Sequence, residues 1–354
     1  MSLLSRQSVI CNLLALLALL NAKTLAGTTP EEVKTFEGYK GRAELGYSAD
    51  QFAVGVCYTS GAGVDKNYEE SFKWFVKAAE QGSIFAQHNV GVAFSTGQGV
   101  PQDLAKAVFW FRKAAEQGLV NSQLSLAKAY TKGDGVEKDD AESYKWHRKA
   151  AEQGDMGAQY NVGVFYSKGI GVSKDEVEAI MWYRKSAEQG YAAAQTNLGV
   201  CYLMGTGVAV NMIKALELGR LSAKQGDPNG QCLVGYLYET GQGIEKNEVE
   251  AVHWYQKSAL QGLAYAQYRL GACYAEGIGI EKNEIEAYAF LNIAGVKDQE
   301  ARKRLSVLEE KMSPDARLFG QQRTRQLKIE IEGRVEVLED MRKAAERARD
   351  LKGA

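Results

Sequence analysis

Few residues in this 354-residue chain are spaced for chemistry. Ser125-Leu126-Ala127-Lys128 has the S-x-x-K form, in which a serine hydroxyl stands one helical turn from an amine that can take its proton; β-lactam hydrolases use that spacing for acyl transfer. The S-D-N and K-T-G elements that complete such a site are absent, and Ser125 falls inside a repeated helical segment. We read the match as chance, with a cell-envelope hydrolase as the rival reading. His88, His147 and His253 occupy unrelated positions, none pairs with another at metal-ligand spacing, and no C-x-x-C occurs. No metal site is expected from such a set. Gly-x-Gly elements recur, but without a Walker pattern or a preceding strand they read as turns instead of phosphate loops. Asp134, Asp139 and Asp140 miss the calcium-loop spacing. The expectation is a protein with no catalytic residues and no cofactor.

Lys and Arg number 43 against 44 Asp and Glu, so the basic excess of a nucleic-acid binder is missing and no nucleic-acid partner is expected. Arg6 precedes an apolar run over residues 9–20, then small residues to Ala26. That is the order of a secretory signal peptide, and the run is too short to span a bilayer. Cleavage fits after Ala22 or Ala26. Thr28 stands where a lipoprotein box would need its Cys. The expected product is exported, periplasmic or secreted, without stable membrane insertion. Beyond the signal lie Cys57, Cys201, Cys232 and Cys273. Three of them share one repeat position, which favours small buried hydrophobes over disulfides.

Periodicity dominates what remains, and a fixed period marks a repeat architecture. Gln51 recurs as Gln87, Gln123, Gln159, Gln195, Gln231 and Gln267, every step thirty-six residues. Four residues later stands Gly55, Gly91, Ala127, Gly163, Gly199, Gly235 or Gly271. Glycine inside a helix costs about 1 kcal/mol against alanine, so a position kept bare predicts close approach of another helix. An aromatic follows three residues on, from Tyr58 to Tyr274, and with the preceding Val or Leu it makes an apolar face at helical spacing. Gly-x-Gly-Val/Ile then ends the first helix, its first Gly suited to a left-handed cap.

Asn67, Asp103, Asp139, Asp175, Asn211, Asn247 and Asn283 are placed to N-cap a second helix. Glu70, Glu142, Glu178, Glu250 and Glu286, three residues on, complete a capping-box pattern that Lys106 and Lys214 break. All five tryptophans, Trp74, Trp110, Trp146, Trp182 and Trp254, share one position of this helix, with Leu218 and Phe290 in the other two copies. Gln-Gly closes each copy except the last. The expected organisation is a signal over residues 1–26, a helical cap over 27–48, seven hairpins over 49–298, a capping helix over 299–312 and a long amphipathic helix over 313–354.

These columns resemble the Sel-1-like repeat (SLR) family, a relative of the tetratricopeptide repeats, through AQYNVGVFY (158–166), GIGVSKD (169–175), EAIMWYRKSAEQG (178–190) and their copies. The resemblance covers about residues 43–312. It implies an all-α fold, an α/α solenoid coiled as a right-handed superhelix, with adaptor roles and no common reaction. Copy five departs from it with Leu218-Gly219 in place of Trp-Tyr. By analogy with tetratricopeptide grooves, the first helices should line a concave surface through positions one, two, five and nine after the repeat Gln. Those positions include His88, Asn89, Lys128, Lys132, Tyr160, Asn161, Lys168, Asn197, Tyr236, Tyr268 and Arg269. Amides there could meet a peptide backbone, and Lys or Arg its carboxylates. The expected partner is therefore a protein or peptide.

Ser313-Pro314 signals a helix start, and no proline follows. Leu327, Ile331, Val335, Leu338, Met341 and Ala345 form an apolar stripe. It is open to packing on the repeats, to pairing with a second copy as a homodimer, or to contact with a partner.

Overall fold

The computed structural model describes residues 29–353; the expected signal peptide lies outside them. The described chain forms two compact units that meet in sequence at Lys174 and Asp175. The first holds α1 (Pro30–Glu44), α2 (Ser48–Ser60), α3 (Tyr68–Glu80), α4 (Ile84–Thr96), α5 (Leu104–Glu116), α6 (Val120–Lys132), α7 (Asp140–Glu152) and α8 (Met156–Lys168). The second holds α9 (Glu176–Glu188), α10 (Ala192–Met204), α11 (Met212–Lys224), α12 (Pro228–Thr240), α13 (Glu248–Ala259), α14 (Ala264–Glu276), α15 (Glu284–Ala294), α16 (Gln299–Lys311) and α17 (Pro314–Gly353). No strand occurs among the described residues. Within each unit helices pack chiefly on their neighbours in sequence, the arrangement of an α/α solenoid.

The repeat glutamine ties three helices together. Gln123 is buried; its Nε2 donates to the Ala115 carbonyl at the end of α5 (3.2 Å), and its Oε1 accepts from Gln153 at the end of α7 (2.9 Å). Gln87 does the same with Ala79 and Gln117, and Gln195 with Ala187 and Gln225. The half-repeat α1 provides the missing carbonyl for copy one, since Gln51 donates to Ala43.

Glycines mark two kinds of close approach. A methyl group on Gly55 or Gly91 would lie 2.6 Å from the ring of Phe75 or Phe111. The first Gly of each Gly-x-Gly takes a left-handed φ between 66° and 80°. The second is also left-handed, and a Cβ on it would run into backbone at the second-helix start of the preceding hairpin, as Gly135 does with the Leu104 carbonyl.

The N-caps form as read: Asn67, Asp103, Asp139, Asp175, Asn211, Asn247 and Asn283 each accept from the backbone N–H three residues on. The reciprocal half of the expected capping boxes does not. The cap residue's own N–H is already bonded to the aromatic residue of the first helix, Asn67 to the Tyr58 carbonyl and Asp139 to that of Tyr130. Released from that role, Glu70 pairs with Lys73, and Glu142 pairs with Lys145 and accepts from Trp146 Nε1. One reciprocal box is present at Thr29 and Glu32, at the start of α1.

Copy five solves its departure locally. Gly219 stands where Phe75, Phe111 and Tyr255 stand, and Leu233 of the next copy fills the vacated space, with its Cδ2 2.9 Å from a Cβ built on Gly199. At the C-terminus, α17 packs along α15, burying Leu327 and Ile331 and seating Val335 against the core formed with α13 and α14. Arg323 binds Glu286 across that contact (2.6 Å). Beyond Val335 the stripe is solvent-facing at Leu338 and Met341. Cys57, Cys232 and Cys273 are buried and form no disulfide among the described residues; burial pushes Cys232 up to about 12 and Cys273 to about 11.

Gln123→Ala should strand the buried Ala115 carbonyl. A buried polar group left unpaired costs about 1–3 kcal/mol, so the urea midpoint of the full chain should fall with an unchanged m-value.

Candidate peptide-binding groove

The columns expected to face a ligand divide once their neighbours are seen. Position one after the glutamine turns onto neighbouring helices. His88 Nδ1 lies 2.8 Å from Ser122 Oγ, and its ring packs 5.5 Å from Phe111. Tyr268 packs against the Leu291, Ala294 and Ala301 cluster, with Arg304 over its ring. Position two is mixed. Asn89 donates back to the Phe85 carbonyl of its own helix (2.9 Å). Arg269 forms an ion pair with Glu239, which also accepts from the buried Tyr255 hydroxyl (2.6 Å). His88 and Arg269 therefore bind repeat to repeat, and Tyr268 binds its own hairpin and α16. Lys128, Lys132 and Lys168 are exposed, while Tyr160 and Asn161 are half-buried on α8.

Asn197 and Tyr236 do come together. They line an open groove of about 460 Å³ across α10, α12 and α14, the first helices of copies five to seven. Neither has an internal side-chain hydrogen bond among the described residues. Val200, Met204, Asn229 and Tyr265 extend the same surface. Met204 is 68% exposed. An amide beside adaptable apolar groups can pair with a peptide backbone while taking its side chains.

Val200 and Met204 sit at positions five and nine, inside the expected columns, but weighing only polar residues there overlooked them. The signal was available: position nine is Lys in Lys132 and Lys168 and turns apolar only at Met204. Asn229 and Tyr265 lie two residues before the glutamine, a column whose exposure depends on how neighbouring helices are spaced. Ser125, by contrast, donates its hydroxyl to the Asn121 carbonyl of its own helix (2.9 Å). Among the described residues no cluster of three His, Cys, Asp or Glu is placed for a metal, and no helix is long and apolar enough to cross a membrane.

Burial holds His88 and His147 down to about 4 from the ordinary value of 6.5. His147 packs on Phe165, and its Nδ1 has no hydrogen-bond partner. Both are neutral in the folded state, so the unfolded chain takes up protons first as pH falls. Their stabilisation is complete above about 6.5 and is lost as pH drops from there toward 4. Comparing urea midpoints at pH 7 and pH 4.5, H88Q should show a smaller acid loss than wild type; an equal loss would assign the acid sensitivity to other groups.

The Sel1 repeat family profile matches residues 48–83, 84–119, 120–155, 157–191, 192–227, 228–263 and 264–295. Among solved structures, a protective antigen of uropathogenic Escherichia coli, c5321, which displays an SLR fold, is 28% identical. That match covers 94% of this chain and 86% of that one with a TM-score of 0.60. A Sel1 repeat protein from Oxalobacter formigenes is 33% identical over 69% of this chain and 96% of its own, with a TM-score of 0.61. No curated protein matches.

Proposed function

Because this chain belongs to the Sel1 repeat family, whose members generally serve as protein-interaction scaffolds, we propose that it is an exported scaffold that holds a peptide or protein partner along the first helices of copies five to seven. The carrying observation is the groove in which Asn197 and Tyr236, uncommitted to internal hydrogen bonds, stand beside exposed Met204. Val200, Met204 and Tyr265 are exposed together along it, and a contiguous exposed apolar patch is the kind of surface that marks an interaction site. Tyr236 and Tyr265 are the residue type that anchors interfaces, and Asn197 and Asn229 set the backbone register of the bound segment.

Export rests on Arg6 and the apolar run over residues 9–20. The related Escherichia coli protein is a protective antigen, which fits a protein presented outside the cytoplasm.

Selection from a displayed random-peptide library tests the groove. Peptides enriched on the wild-type chain should lose at least about tenfold in affinity on N197A/Y236A, the size expected when an interface anchor costs about 1–2 kcal/mol or more. The far-UV spectrum and thermal midpoint should stay in place. Equal binding to both proteins would remove the groove as the site.

A further inference from the structure

Copy five carries a second opening, on a different surface from the groove and independent of it. In each of five copies the tryptophan is covered by the lysine three residues on. The ammonium lies 3.9 Å from the ring centroid of Trp74, 4.9 Å from Trp110, 4.2 Å from Trp146 and Trp182, and 4.6 Å from Trp254. Copy seven substitutes Phe290, stacked on Tyr274. Copy five alone has neither ring nor cation: Leu218 replaces the tryptophan and Leu221 the lysine.

The residues the ring would have packed against are buried, yet they border a cleft. Trp146 packs in a cluster with Ala115, Leu126 and Tyr130. Two repeats further along, the equivalent Ala187, Leu198 and Tyr202 line a cleft of about 630 Å³ with Leu218. The cleft is formed by α9, α10 and α11, and its volume falls within the roughly 300–1,000 Å³ of small-ligand sites. Leu221, an apolar residue where five other copies place a lysine, is half exposed at its edge.

We propose that this cleft is a slot for a tryptophan side chain supplied by a partner polypeptide. The chain's own five tryptophans are seated in other copies, so the occupant comes from another molecule. Shape is given by the equivalent positions that enclose Trp146. Charge is complementary as well. Arg184 and Lys214 line the cleft, and Lys214 already stands 5.3 Å from the Tyr202 ring centroid. Cations so placed attract the electron-rich face of an indole. In copy three the indole N–H is taken by Glu142 (3.1 Å). Lys214 holds the equivalent position in copy five, and Glu188 and Glu217 on the cleft wall provide the acceptors instead.

Saturation-transfer NMR on the full chain with N-acetyl-L-tryptophanamide tests the slot. The indole protons should saturate several-fold more strongly than the side chain of N-acetyl-L-leucinamide at equal concentration. Leu218→Trp, which fills the slot as five other copies do, should abolish the signal without lowering the thermal midpoint. Leu221→Lys changes only an exposed residue and restores the missing cation, so it should tighten binding about threefold, the size of an exposed cation–π contact. Equal saturation by the two amides, or signal persisting in folded Leu218→Trp, would overturn the proposal. If Leu218→Trp does not fold, Leu221→Lys decides: tighter binding supports the slot, unchanged or weaker binding overturns it.

Discussion

The structure depends on a buried amide that must bond in two directions. Gln87, Gln123 and Gln195 each reach back to the last-turn carbonyl of the preceding hairpin and forward to the glutamine that ends their own. A side chain with both a donor and an acceptor end is required, and among neutral residues of that reach only glutamine fits. In a low-dielectric interior both bonds are strong and both are costly to lose. Register follows: the amide can be satisfied only if successive hairpins keep the same offset, which the unbroken thirty-six-residue spacing preserves.

Backbone contact imposes a second condition. The second glycine of each Gly-x-Gly meets the main chain at the start of a second helix in the preceding hairpin, so hairpins touch there without side chains between them. The N-cap N–H is likewise committed across the hairpin to the aromatic residue's carbonyl. With these polar contacts fixed, the apolar columns are free to vary. Phe75, Phe111, Tyr255 and Leu291 all close over the bare glycine position, and Leu233 of the following copy does so where Gly219 cannot.

That tolerance explains how function can reside in a repeat without disturbing the fold. Copies five to seven keep the repeat glutamine and the N-caps, yet vary at the positions that face outward. Asn197, Met204 and Tyr236 open a groove on the first helices, and the Leu218 and Leu221 pair leaves a cleft elsewhere on the same unit. The long helix α17 closes the end of this unit by burying Leu327 and Ile331 against it, so the apolar faces of the last hairpins are covered by the chain itself.

Sequence alone determined the helices, their caps, the hairpin period and the stacking of neighbours. Each of those rests on local chemistry: glycine for left-handed caps, Asn or Asp for N-caps, and 3.6-residue spacing for the apolar faces. It also marked the bare glycine column as a close approach. The partner of each side chain was decided by tertiary structure. His88 and Arg269 read as ligand contacts because their column faces a groove in related folds, but the offset between hairpins turns them onto Ser122 and Glu239. The capping-box glutamates matched their motif, yet the N–H they needed was taken by a carbonyl nine residues earlier in the chain. Asn229 and Tyr265 entered the groove for the same reason: which face of a helix stays open is set by the distance and angle to its neighbours, and no single helix encodes either.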